Sequence, residues 1–111
     1  MKTIQPILIT SVTAGVDLST ATNLFIGFNG SLCANGAKPL GVLNASTNIG
    51  EQAPVIAKGI AMVLSGAAVS AGAKVQSDAT GKAITYAAGE VAGFSLDAAS
   101  GAGELIRVLL S

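Results

Sequence analysis

An all-β fold is what this sequence predicts, and three observations predict it. Residues 59–111 form a relay of short apolar runs, GIAMVLSG, AAVSAGAKVQS, DATGKAITYAAG, EVAGFSLDAASGAG and ELIRVLLS. Each is about strand length, and none is long enough for an ordinary packed helix. A glycine-bearing turn closes each run, at Gly66, Gly72, Gly81, Gly89, Gly101 and Gly103. The opening segment, Ile4 to Thr13, is rich in Ile, Val and Thr, residues that suit an extended, pleated backbone.

The elements follow in order. Ile4 to Thr13 is an extended first segment, broken by Ala14-Gly15; Asp17 to Thr20 makes a turn or a single helical turn. Asn23 to Phe28 is a second strand, ended by the hairpin signal Asn29-Gly30. Ser31 to Ala34 extends it as far as a further turn at Asn35-Gly36. Pro39 opens the next strand, where a missing N–H is tolerable, and that strand runs to Leu43. Asn44 to Gln52 is polar and reads as a surface loop. Pro54 to Ala57 and Ile60 to Leu64 flank Lys58-Gly59, a bulge or a tight turn. Val75, Ile84 to Tyr86, Val91 to Leu96 and Leu105 to Leu110 supply the later strands. A faint internal echo joins Gly41-Val42-Leu43-Asn44 with Gly50-Glu51 to Gly93-Phe94-Ser95-Leu96 with Gly103-Glu104; strand–loop–strand grammar explains it as well as duplication does.

In the last strand, Leu105, Arg107 and Leu109 share one face while Ile106, Val108 and Leu110 share the other. A surface strand should alternate apolar with polar, so this one is central or has its outer face covered by another subunit. Arg107 then sits beside an acidic partner or at an interface rim, the alternative being a solvated strand edge.

Composition sets the bounds. A chain of 111 residues is one domain, and a domain of this size buries about 65% of its extended-chain surface. Half of the residues are hydrophobic and 11% are charged, well below the roughly 25% usual for globular domains. With no Trp, one Tyr and three Phe, the core has to be built from Ala, Val, Leu and Ile. So apolar a small chain leaves apolar surface uncovered, which implies an oligomer or an assembly component. Six basic and six acidic residues are scattered singly, giving no cluster for nucleic acid and no polybasic membrane patch. The N-terminal stretch reads as a strand and not a signal peptide, because Pro6, Thr and Ser interrupt its apolar run. The most apolar window, Gly59 to Ala73, is too short to span a bilayer, so a soluble protein is expected.

Little is left for chemistry. Metal sites draw on His, Cys or clustered carboxylates, and this chain has no His and one Cys, Cys33. That lone thiol reads as a small buried hydrophobe. Asp78-Ala79-Thr80-Gly81 hints at a calcium loop, yet the alternating oxygen ligands are missing, so a turn capped by its own Asp is the simpler reading. Gly101-Ala102-Gly103 lacks a following helix and a phosphate-binding Lys. No catalytic, cofactor or metal residues are assigned, and no enzyme is expected.

Three motifs carry a family likeness. They are Gly50-Glu51-Gln52 ahead of Val55, a hairpin built on Gly72, Val75, Ser77, Asp78, Gly81, Lys82 and Ala83, and the closing Ala102-Gly103-Glu104-Leu105-Ile106-Arg107-Val108. In this order and spacing, with AKPLGVLN and the opening MKTIQPILITSVTAG, the chain resembles tailed-bacteriophage capsid decoration (cement) proteins over nearly its whole length. The resemblance implies a small single-domain β-barrel or sandwich, β-tulip-like in one form, with an extended N-terminal segment. Residues 1–22 would be that segment or arm, or part of the barrel, and 23–111 the barrel domain. It further implies a structural virion protein made in the host cytoplasm, which binds the outside of the expanded head and stabilises the shell. Its partner would be the major capsid protein, and it would sit there as a homotrimer without a cofactor, nucleic acid or membrane.

Contact residues do not carry over from the family, so the candidates come from the residues themselves. The arm from Lys2 to Thr13 offers Ile4, Gln5, Pro6, Ile7 and Ile9, and the last strand offers Arg107, as capsid or subunit contacts. The arm would add a strand to a capsid or neighbouring edge; alternatively it is the first strand of the protein's own barrel. Two other classes stay open. One is a virion-surface carbohydrate- or ligand-binding module using the loop Asn44 to Gln52. The other is a lipoyl-type carrier with Lys82 near a turn.

Overall fold

The computed structural model describes residues 4–110, and among them there is no helix. Lys2, the first residue of the expected arm, lies outside the described residues. Eight strands follow in chain order: β1 Gln5–Thr13, β2 Phe25–Ile26, β3 Gly41–Leu43, β4 Gln52–Leu64, β5 Lys74–Ser77, β6 Ala83–Thr85, β7 Gly93–Ser95 and β8 Leu105–Leu110. They form one antiparallel sheet in the order β2-β3-β4-β8-β7-β5-β6, with β1 paired to β4. The sheet curls until its ends nearly meet. Phe25 N–H in β2 donates to Gly81 O just before β6 (2.7 Å), and Ser65, at the end of β4, bridges Ala83. The fold is thus a small, nearly closed antiparallel barrel, as the turn-punctuated sequence predicts.

Several strands are shorter than the pattern suggests. The second covers only Phe25–Ile26, because Gly27 to Ser31 is already hairpin: Gly27 N–H donates to Ser31 O (2.8 Å) and Gly30 takes φ +81°. The expected strand Val91 to Leu96 pairs only over Gly93–Ser95. The expected surface loop Asn44 to Gln52 is pinned down, since Thr47 is buried and bridges Leu18, and Gln52 is already in β4. Asp17 to Thr20 is a turn, with Ser19 N–H donating to Asp17 Oδ1 at 3.0 Å.

Lys58-Gly59 is a bulge within one long strand, not a turn between two. Gly59 has φ +103°, and the register with β1 slips on both sides of Leu8. The consequence is a change of parity. Ahead of the bulge, odd-numbered Ala53 and Val55 join one core cluster with Ala14, Leu18, Ala21, Leu24, Ile26 and Leu43. Beyond it, odd-numbered Ala61 and Val63 join the other cluster, the barrel interior, with Ile56, Phe25, Val75, Ile106 and Val108. The single extra residue lets β4 serve two cores. The cores are aliphatic apart from the fully buried Phe25 and the buried Cys33.

The two Gly-Glu pairs of the internal echo do the same local work. Glu51 Oε1 accepts from Asn48 N–H (3.0 Å) just ahead of β4, and Glu104 Oε2 accepts from Ser100 N–H (2.9 Å) and Gly101 N–H (3.2 Å) just ahead of β8. Each carboxylate closes the turn that launches one of two neighbouring strands.

Candidate interaction surface

β1 is joined to the sheet along only one edge. It pairs with β4 from Gln5↔Ile60 to Thr13↔Gln52, and no other strand among the described residues pairs with it. Ile7 is skipped by the register, and its side chain is 85% exposed. Ile4, Leu8 and Ile9 are exposed too, as are Gln5 and Pro6. The strand therefore shows water both its faces and one main-chain edge, with no charged side chain from Gln5 to Thr13. Of all its side chains only Val12 packs against a core cluster. Its far end is anchored by Gln52 Nε2 donating to Thr13 Oγ1 (2.7 Å), which gives the Gly-Glu-Gln motif a structural role.

Five of the six candidate contacts, Ile4, Gln5, Pro6, Ile7 and Ile9, thus lie together at the start of β1. Leu8 belongs with them, although it was not among the candidates; it lies exposed where the register slips on both sides of it. Arg107 lies elsewhere, on the outer face of β8. The face is defined by a cross-strand row, Lys74↔Phe94↔Leu109↔Ile60↔Gln5, which runs from β5 through β7, β8 and β4 to β1. Phe94 and Leu109 are exposed, as are Leu96 and Leu105 nearby. β8 is central, between β4 and β7, and still leaves its outer apolar face uncovered.

Arg107 sits opposite Met62 in the middle of that face and has an acidic partner. Its Nε and Nη2 donate to Asp97 Oδ2 and Oδ1, both at 3.0 Å, and its own main-chain N–H donates to Oδ2 at 2.9 Å. These bonds hold the guanidinium still more firmly protonated. The pair cancels its own charge, so an apolar partner could cover the face without stranding a cation.

The remaining chemical hints resolve into structure. Asp78 Oδ1 accepts from Thr80 N–H (2.8 Å), Thr80 Oγ1 (3.0 Å) and Lys82 N–H (2.9 Å), a self-capped turn. Cys33 is buried; desolvation pushes its thiol pKa up, against a smaller opposing effect of its contact with Ser77. Buried Gln76 clamps two loops, donating to Asn35 Oδ1 (3.0 Å) and accepting from Ala87 N–H (2.7 Å) and Ala88 N–H (3.1 Å). No group of potential metal ligands gathers among the described residues, and no described helix is long and apolar enough to cross a membrane. Two shallow concavities, about 210 and 300 Å³, flank the exposed ring of Phe28 and share Lys38.

With this geometry in view, comparison with known proteins is decisive. Residues 5–110 match the phage cement protein family. The chain belongs to that family. It is a structural protein of the phage virion, and the family likeness read in the three motifs holds across both sheet and loops. Among solved structures it is similar to the N base of head fiber gp8.5 in bacteriophage phi29, at 18% identity and a TM-score of 0.74, over 94% of this chain and 93% of that one. At that identity the likeness establishes the fold. No curated protein matches the sequence.

Proposed function

We propose that this cement protein binds the outer surface of the expanded phage head through β1 and reinforces the shell against the major capsid protein. The observation that carries the reading is β1 itself: uncharged, open on both faces, and with one main-chain edge unpaired. Such an edge fits a strand of a partner, main-chain bonds giving affinity and Ile4, Gln5, Pro6, Ile7 and Ile9 giving fit. Many modest contacts repeated over a lattice then sum to strong reinforcement. In this reading β1 is the contact segment of the expected arm 1–22, while Ala14, Leu18 and Ala21 pack into the core and join 23–111 in the barrel that carries it. The uncovered face around Arg107 meets a neighbouring copy, in a trimer at three-fold or quasi-three-fold positions. The protein is made in the host cytoplasm, joins the finished head from outside, and has no enzymatic role.

Co-sedimentation with expanded, undecorated shells tests this. Saturable binding at a fixed ratio to the major capsid protein, retained at about 0.3 M salt because the contact is apolar and main-chain mediated, is the expected result. Absence of binding to intact shells overturns it.

A further inference from the structure

The chain contains two Asn-Gly steps, Asn29-Gly30 and Asn35-Gly36, six residues apart and both turn-forming. Asn-Gly is also the dipeptide most prone to self-modification. The glycine main-chain nitrogen, unhindered by a Cβ on its own residue, can attack the preceding amide carbon. The two steps have the same chemistry and different surroundings.

At the first step the attacking nitrogen and the side-chain oxygen are held locally, while Gly30 itself is buried and its carbonyl accepts from Gly15 N–H at 3.0 Å. Gly30 N–H donates to Gly27 O at 3.2 Å, within a single hairpin turn, and Asn29 Oδ1 accepts from Ser31 N–H at 3.1 Å. Both asparagines are exposed, Asn29 beside the exposed ring of Phe28, so exposure does not separate the two steps. The bond that must break to free the Gly30 nitrogen lies inside that one turn, the kind of contact that opens by local fluctuation. At the second step the restraints are tertiary. Gly36 N–H donates to Ser77 O on β5 (3.0 Å), and Asn35 Oδ1 accepts from Nε2 of buried Gln76 (3.0 Å). Gly36 O in turn accepts from Glu90 N–H (2.8 Å). Freeing this nitrogen means lifting the loop off the barrel.

We propose that Asn29 is a site of spontaneous covalent modification in the folded protein, passing through a succinimide with Gly30 to aspartate and isoaspartate, while Asn35 is shielded. Gly30 N bonds to Asn29 Cγ and gives up its proton; the Cγ–Nδ2 bond breaks and ammonia leaves carrying that proton. Water then opens the imide. Attack at Cγ yields aspartate, and attack at the Asn29 main-chain carbonyl carbon yields isoaspartate. Nothing is oxidised or reduced. The product places a carboxylate in the concavity shared by Phe28, Leu32 and Lys38, and turns a chain of zero net charge negative.

The test is incubation of the intact folded protein in mildly alkaline buffer, with peptide mapping by mass spectrometry and an isoaspartate assay. Deamidation is expected at Asn29 several-fold faster than at Asn35, with the two rates converging once the protein is denatured. The Asn29→Gln variant, folded as judged by circular dichroism, should lose most of the modification. Equal or faster reaction at Asn35 in the folded protein overturns the proposal. So does an intact Asn29 under conditions where the denatured chain reacts.

Discussion

β1 and β8 are both built mainly of apolar and β-branched residues, both pair with β4, and they end in opposite conditions. β8 lies between two strands, and its Ile106, Val108 and Leu110 are buried in the barrel. β1 has one neighbour among the described strands and leaves nearly all its side chains outside either core. Apolar content alone does not say what a strand is for; the number of edges it shares does. A strand with both edges paired and one face buried holds the fold together. One with a bare edge and two bare faces has surface to spend on a partner.

The contrast can be broken most sharply from the β8 side. Ile106→Ala removes a fully buried side chain from the barrel core and should cost about 2–5 kcal/mol, read from chemical denaturation. Next comes the hinge between the regions. In Gly59→Ala the new Cβ would lie within 2.4 Å of Gln5 O, on a backbone at φ +103°. A loss of about 1–3 kcal/mol is expected, with faster amide exchange confined to β1 and its β4 partners. A smaller effect belongs to Cys33. Burial raises its folded pKa above the unfolded value, so the stability it contributes is present below the ordinary thiol range and is lost as pH rises through the folded pKa. The folded protein should therefore resist a thiol reagent, and Cys33→Ala should flatten the alkaline limb of its stability curve. The smallest effect is at β1: Ile7→Ala should stay within about 0.5 kcal/mol of wild type while weakening shell binding. A large destabilisation there would mean that β1 serves as core.

Strand content and turn positions were legible because glycine and Asn-Gly steps mark turns by local geometry, which tertiary context rarely overrides. Register was not. One inserted residue at Lys58-Gly59 decides which side of β4 faces which core, and no local signal says whether such a pair bulges or turns. The outer apolar face of the last strand was legible, but not its extent, which depends on Phe94, Leu109 and Ile60 aligning across three strands. For Arg107 the sequence left open an acidic partner, an interface rim or a solvated edge; that it pairs with Asp97, ten residues back across a loop, is a matter of pairing that spacing does not disclose.

The most direct test of the central claim is amide hydrogen exchange measured on the free protein and on the protein bound to expanded shells. If β1 is the shell contact, main-chain amides between Gln5 and Thr13 gain strong protection on binding while those of β8, already paired on both edges, barely change. Unaltered exchange in β1 on a saturated shell would contradict the account.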